Sequence, residues 1–170
     1  MKLGVLTVLF GNKPLNETCA YLKNLGVETV EIGCGGFPGK AHCDPEKLLA
    51  DEQALNQFLC DIRDNGLEIS ALSCHGNMVH PNRAVADAYI ADFKNAVLLA
   101  EKIGVDTLVT FSGCPGDCPE SKHPNWVTCP WPEDFLEILD YQWNEVLIPF
   151  WKDMTAYCCE HGIHRIALEM

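Results

Sequence analysis

Two residues close to strand ends have the types that move protons or hold metal. Glu169 follows the apolar run Ile166-Ala167-Leu168. A carboxylate at the mouth of a parallel strand binds a divalent cation or acts as a general base; the plain alternative is an exposed glutamate near a chain end. His75 stands in Ser73-Cys74-His75-Gly76-Asn77, with His80-Pro81 shortly after. An imidazole there ligates metal, bonds a hydroxyl or carries a proton, or else only caps the next loop. Glu31 points toward Gly33-Cys34-Gly35-Gly36-Phe37-Pro38-Gly39. Amides in such a loop can cradle phosphate. This one follows the second strand and contains Pro38, unlike a dinucleotide fingerprint, so a tight loop at the mouth is the expected reading. Cys114, Cys118, His123 and Cys129 lack the close pairing of structural zinc ligands. Trp126 and Trp131 can wall a pocket or simply pack a long loop.

These residues are placed by an internal repeat. Leu25-Gly26-Val27, Asn65-Gly66-Leu67, Ile103-Gly104-Val105 and His161-Gly162-Ile163 each lead into a short apolar strand. The glycine ends a helix in the left-handed conformation and the apolar residue packs back on the last turn. Helical patterns precede each one, over Pro14–Asn24, Asp51–Asp64, Ala84–Lys102 and Glu133–His161, the last interrupted by Pro149 and so expected as two helices or a kinked one. With Lys2–Leu9 as an opening strand, the order β-α-β-α-β-α-β-α-β specifies a parallel sheet. The connections at strand C-termini are the long ones, over Gly33–Pro45, Cys74–Arg83 and Ser112–Pro132. Loops at that face carry the site in α/β folds.

The expected domain is single, 1–170, with no linker or low-complexity segment. A complete (β/α)8 barrel takes about 250 residues. The fold class is therefore α/β, a TIM barrel truncated after strand five with β1 to β5 present; an open flavodoxin-like sheet is the lesser reading. A net charge of −12 opposes nucleic acid and anionic membranes. No apolar run approaches the roughly 20 residues of a membrane span. Ten cysteines without an export signal read as reduced, structural thiols in a cytoplasmic protein.

Lys2-Leu3-Gly4-Val5, Val30-Glu31-Ile32-Gly33, the Ser73–Asn77 segment with His80-Pro81, Thr110-Phe111-Ser112-Gly113, and Ala167-Leu168-Glu169-Met170 together resemble the sugar phosphate isomerase/epimerase family, the xylose-isomerase-like TIM barrels. The resemblance runs along essentially the whole chain and covers the first half to two-thirds of a family member. It implies an isomerase or epimerase that moves a proton beside the carbonyl of a sugar or sugar phosphate. One divalent metal, Mn2+, Mg2+, Co2+ or Zn2+, is implied for the full-length form, with Glu169 as ligand and catalytic group. The substrate-binding set that follows is His75, Asn77, Ser112 and Trp126. Phe111-Ser112-Gly113 lacks the histidine of the endonuclease branch. The resemblance places the remaining metal ligands on later strands, so the expectation for this chain alone is an inactive fragment that does not retain metal and self-associates through the uncovered strand-five edge. The alternative is a non-catalytic half-barrel or pseudoenzyme that pairs with another chain.

Overall fold

The computed structural model describes residues 1–169; Met170, the last residue of the fifth-strand motif and of the 1–170 domain, lies outside the described residues. Five parallel strands form one sheet in the order β1-β2-β3-β4-β5. They are β1 (Gly4–Leu6), β2 (Thr29–Gly36), β3 (Glu68–His75), β4 (Thr107–Phe111) and β5 (Arg165–Glu169). Between them run α1 (Leu15–Asn24), α2 (Pro45–Ala50), α3 (Glu52–Arg63), α4 (Arg83–Ile103), α5 (Asp134–Asp140) and α6 (Ile148–Glu160). This is the parallel sheet of a barrel's first five strands, as the repeat predicts.

The strands alternate between two environments, as period-two geometry requires. Val30, Ile32 and Cys34 of β2, Leu72 and Cys74 of β3 and Leu108 of β4 join Leu22, Phe58 and Phe93 of the helices in one apolar core. Residues of opposite parity, among them Glu31, Ser73, His75, Phe111 and Glu169, face the other side of the sheet. Register then decides their height. Gly33 is level with Ser73 and Ser73 with Val109; one step further along, Gly36 pairs with His75 and Phe111 with Glu169.

Gly26, Gly66, Gly104 and Gly162 all have positive φ, so the four turns have the form the sequence repeat predicts. At Gly104 (φ +74°) a Cβ would meet nothing within 4 Å. Gly104→Ala is therefore expected to cost only the left-handed backbone penalty, about 1 kcal/mol, read as a small fall in denaturant midpoint at unchanged slope.

Two elements differ from the sequence reading. The opening strand is Gly4–Leu6 rather than Lys2–Leu9, because Thr7–Phe10 turn into a 3₁₀ helix that buries Thr7 and sets Phe10 against Tyr21 at 5.7 Å between ring centres. The helix α2 lies inside what the sequence reads as a long connection; its signal is Asp44 as N-cap with Pro45 in the first turn. The run before β5 is one continuous helical path in which Tyr141–Leu147 is π-helical between α5 and α6. Pro149, in the first turn of α6, has no N–H to offer the preceding ladder.

All ten cysteines are free thiols. Burial pushes the pKa of Cys19 and Cys158 up to about 11 and that of Cys43 to about 12. The hydrogen bond with Cys74, then burial, pushes that of Cys34 up as well. Such thiols are packing groups rather than nucleophiles. Among the described residues, no helix is long and apolar enough to cross a membrane.

Candidate functional site

The C-terminal ends of β3, β4 and β5 and the segment after β4 enclose a cavity of about 350 Å3 lined by Phe37, Asn77, Phe111, Ser112, Gly113, Cys114, Pro124, Trp126 and Glu169. Four of the five site residues singled out from the sequence line it, and the fifth, His75, touches one of them. His75 Nε2 lies 3.3 Å from Glu169 Oε2; the imidazole is 6% exposed and the carboxylate 59%. The separation is that of an ion pair, but Nε2 has no hydrogen-bond partner among the described residues. A buried ring nitrogen left open is costly, and it adjoins the cavity's one carboxylate.

Each group is fixed by its neighbours. The His75 ring leans on Phe111, 4.7 Å between centres, and Phe111 on Phe37 at 6.0 Å. At the end of β5, the Ser112 N–H donates to the Glu169 carbonyl at 3.2 Å. The Ser112 carbonyl in turn accepts from Trp151 Nε1 at 2.8 Å. Asn77 uses both ends of its amide on one residue, donating to the Cys114 carbonyl (2.7 Å) and accepting from the Cys114 N–H (2.9 Å). It thus forms wall and latch together, joining the segments after β3 and β4.

The glycine-rich segment serves geometry. The Gly36 N–H donates to Asp92 Oδ2 at 3.1 Å, and Asp92 also holds Lys40 at 2.8 Å. That pairing raises the Lys40 pKa. The Phe37 N–H donates to the His75 carbonyl at 2.7 Å. Two of the loop's amides are therefore committed to protein acceptors. His80 caps its own loop, Nδ1 accepting from the Asn82 N–H at 2.9 Å.

Within the segment after β4, the Ser121 hydroxyl and the Asn125 amide bond the Asp117 carboxylate and hold its pKa below the usual carboxylate range. Among the described residues, no three His, Cys, Asp or Glu side chains, Cys114, Cys118, His123 and Cys129 included, converge on a metal-sized site.

Phe37, Phe111, Cys114 and Pro124 were missed as lining residues. Parity carries the signal for Phe111, which stands level with Glu169 on the next strand.

Glu169 and His75 offer oxygen and nitrogen donors 3.3 Å apart. Two ligands, each roughly 2.1 Å from a tetrahedral or octahedral ion, lie about 3.0 to 3.4 Å apart. The pair fits a divalent cation as two of its ligands, and the cavity before it is largely apolar with one anionic end. Such an arrangement can hold a small polyhydroxylated molecule with its apolar faces on rings and its oxygens near the carboxylate.

Residues 19–170 match the family described as xylose isomerase-like TIM barrel. Over 171 residues the chain is 30% identical to a protein from Bacillus subtilis (strain 168) described as "Uncharacterized protein YfiH", covering 99% of this chain and 54% of that protein. In structure it resembles the probable 3-DHS dehydratase AsbF from Bacillus anthracis (TM-score 0.61, 15% identity, 98% of this chain and 52% of that one). It also resembles D-psicose 3-epimerase from Clostridium cellulolyticum H10 (TM-score 0.58, 11% identity, 98% and 52%). The chain spans about half the length of the relatives it matches.

Proposed function

Since the chain belongs to the xylose isomerase-like TIM barrel family, we propose that its cavity is part of the active site of an enzyme that isomerises or epimerises a sugar or sugar phosphate. The observation that carries this is the buried, unpartnered Nε2 of His75 facing the Glu169 carboxylate at the cavity wall.

Glu169 takes the proton from the carbon beside the sugar carbonyl as a general base; isomerisation lets the same carboxylate return it on that face, while epimerisation requires a second acid on the opposite face of the sugar. Its main chain is tied to Ser112, which keeps the carboxylate at the strand tip. His75, held by burial and by Phe111, presents Nε2 to a substrate oxygen. Trp126, Phe37 and Phe111 offer ring faces to the apolar face of the sugar. Ser112 and Asn77 shape the polar side. Glu169, with His75 beside it, would hold a divalent cation, whose charge when bound polarises the substrate carbonyl and acidifies the neighbouring C–H. The ten free thiols fit a reducing compartment such as the cytoplasm.

The test is proton exchange in D2O, followed by NMR, for a panel of ketohexoses and ketose phosphates with the native gene product. Deuterium incorporation at one carbon beside the carbonyl is expected. It should disappear on dialysis against a chelator and return with Mn2+. Exchange that survives chelation would sink the metal assignment. Sugar binding without exchange would favour the non-catalytic module.

A further inference from the structure

Gln142 is fully buried, on the π-helical stretch between α5 and α6. Its Nε2 donates to two main-chain carbonyls of the segment after β4, Gly116 at 3.1 Å and Asn125 at 2.5 Å. A primary amide sunk in a helix that otherwise packs apolar residues is expensive unless paired, and its donor pairs are with this segment. The two carbonyls bracket the Asp117–Ser121–Asn125 cluster. Asn125 lies between Pro124 and Trp126, both of which line the cavity. The π-helical offset matters because an inserted residue changes which side chain a helix presents to its neighbour.

We propose that Gln142 is a positioning residue for this site: by gripping the segment at two carbonyls it sets Trp126 and Pro124 as the cavity wall. The inference rests on the cavity being where the sugar binds. Gln142 itself does not line the cavity, so its effect on the reaction passes through Trp126.

The experiment compares wild type with Gln142→Met, which keeps the volume and removes the donors, and Gln142→Asn, which keeps the amide but shortens its reach. Hydrogen exchange is followed at the amides of Asp117, Cys118 and Asn125, whose partners are the Ser121 hydroxyl and the Pro115 carbonyl. Both variants are expected to exchange about tenfold faster there, with β2, β3 and β4 unchanged. In the native gene product, KM for a ketohexose that turns over is expected to rise about tenfold with kcat within about threefold. Unchanged exchange in the segment, or an equal rise across the strands, would overturn the grip. A loosened segment with KM unmoved would overturn the positioning role. If no ketohexose turns over even with wild type, the functional reading fails, and the exchange data still decide the grip. Should Gln142→Met not fold, Gln142→Asn carries the comparison alone.

Discussion

Substituting Glu169 by glutamine is expected to lower deuterium exchange and turnover of a ketose substrate by about a thousandfold in the native gene product, the range of a lost general base. The substitution keeps the size and the main-chain bond to Ser112 and removes only the charge and the basic oxygen. Among the described residues lining the cavity, Glu169 is the only carboxylate, and its neighbour His75 lies 3.3 Å away. The other titratable lining group is the Cys114 thiol, whose pKa burial pushes up, so it is a poor base at neutral pH. A variant within tenfold of wild type would show that the proton moves elsewhere. Tight sugar binding retained in an inactive variant would place the loss in chemistry rather than in the fold.

Gly36→Ala is expected to destabilise the protein by about 3 to 5 kcal/mol, combining a left-handed backbone penalty with overpacking. Gly36 has φ +64°, and a Cβ there would stand 1.8 Å from the His75 carbonyl oxygen. That oxygen accepts the Phe37 N–H at 2.7 Å, so the two strand ends approach as closely as backbone allows. Relief requires moving the end of β3, and His75 with it. Denaturant unfolding measures the loss, and the fluorescence of Trp126 and Trp151 reports whether the folded fraction keeps its mouth intact. A loss of only about 1 kcal/mol, the left-handed penalty alone as expected for Gly104→Ala, would mean that the two strand ends separate freely.

The contrast between those glycines explains what could be read in advance. Gly104 was legible because a helix followed at once by a strand needs a left-handed residue whatever surrounds it. Gly36 was legible as part of a tight loop, but its role depends on a carbonyl from β3, and no local pattern encodes that approach. His75, Ser112, Trp126 and Glu169 could be placed at one face in advance because strand ends and long connections there narrow the search. Asn77 entered the expected set through the family resemblance; its two bonds to the Cys114 backbone belong to a loop whose path has no periodicity to read. Gln142 was passed over inside a helical stripe of Ile138, Leu139, Trp143 and Val146. A lone amide there was the available clue, but its partners are loop carbonyls. The apolar Val8 and Leu9 extended the first strand on paper, while the chain spends them in a 3₁₀ turn that leaves both exposed.

Among the described residues, every long-range side-chain hydrogen bond to the segment after β4 closes on main chain. Asn77 takes the amide and carbonyl of Cys114, Gln142 the carbonyls of Gly116 and Asn125, and Trp151 the carbonyl of Ser112. Such clasps are blind to the side chains they hold in place. The segment therefore behaves as an exchangeable cassette: its outward residues and its pocket wall can drift, in evolution or in a mutational library, while the frame keeps them registered over the same carboxylate. Under the proposed function, selectivity for one sugar over another then becomes a property that can be rewritten in a short stretch of sequence without renegotiating the fold.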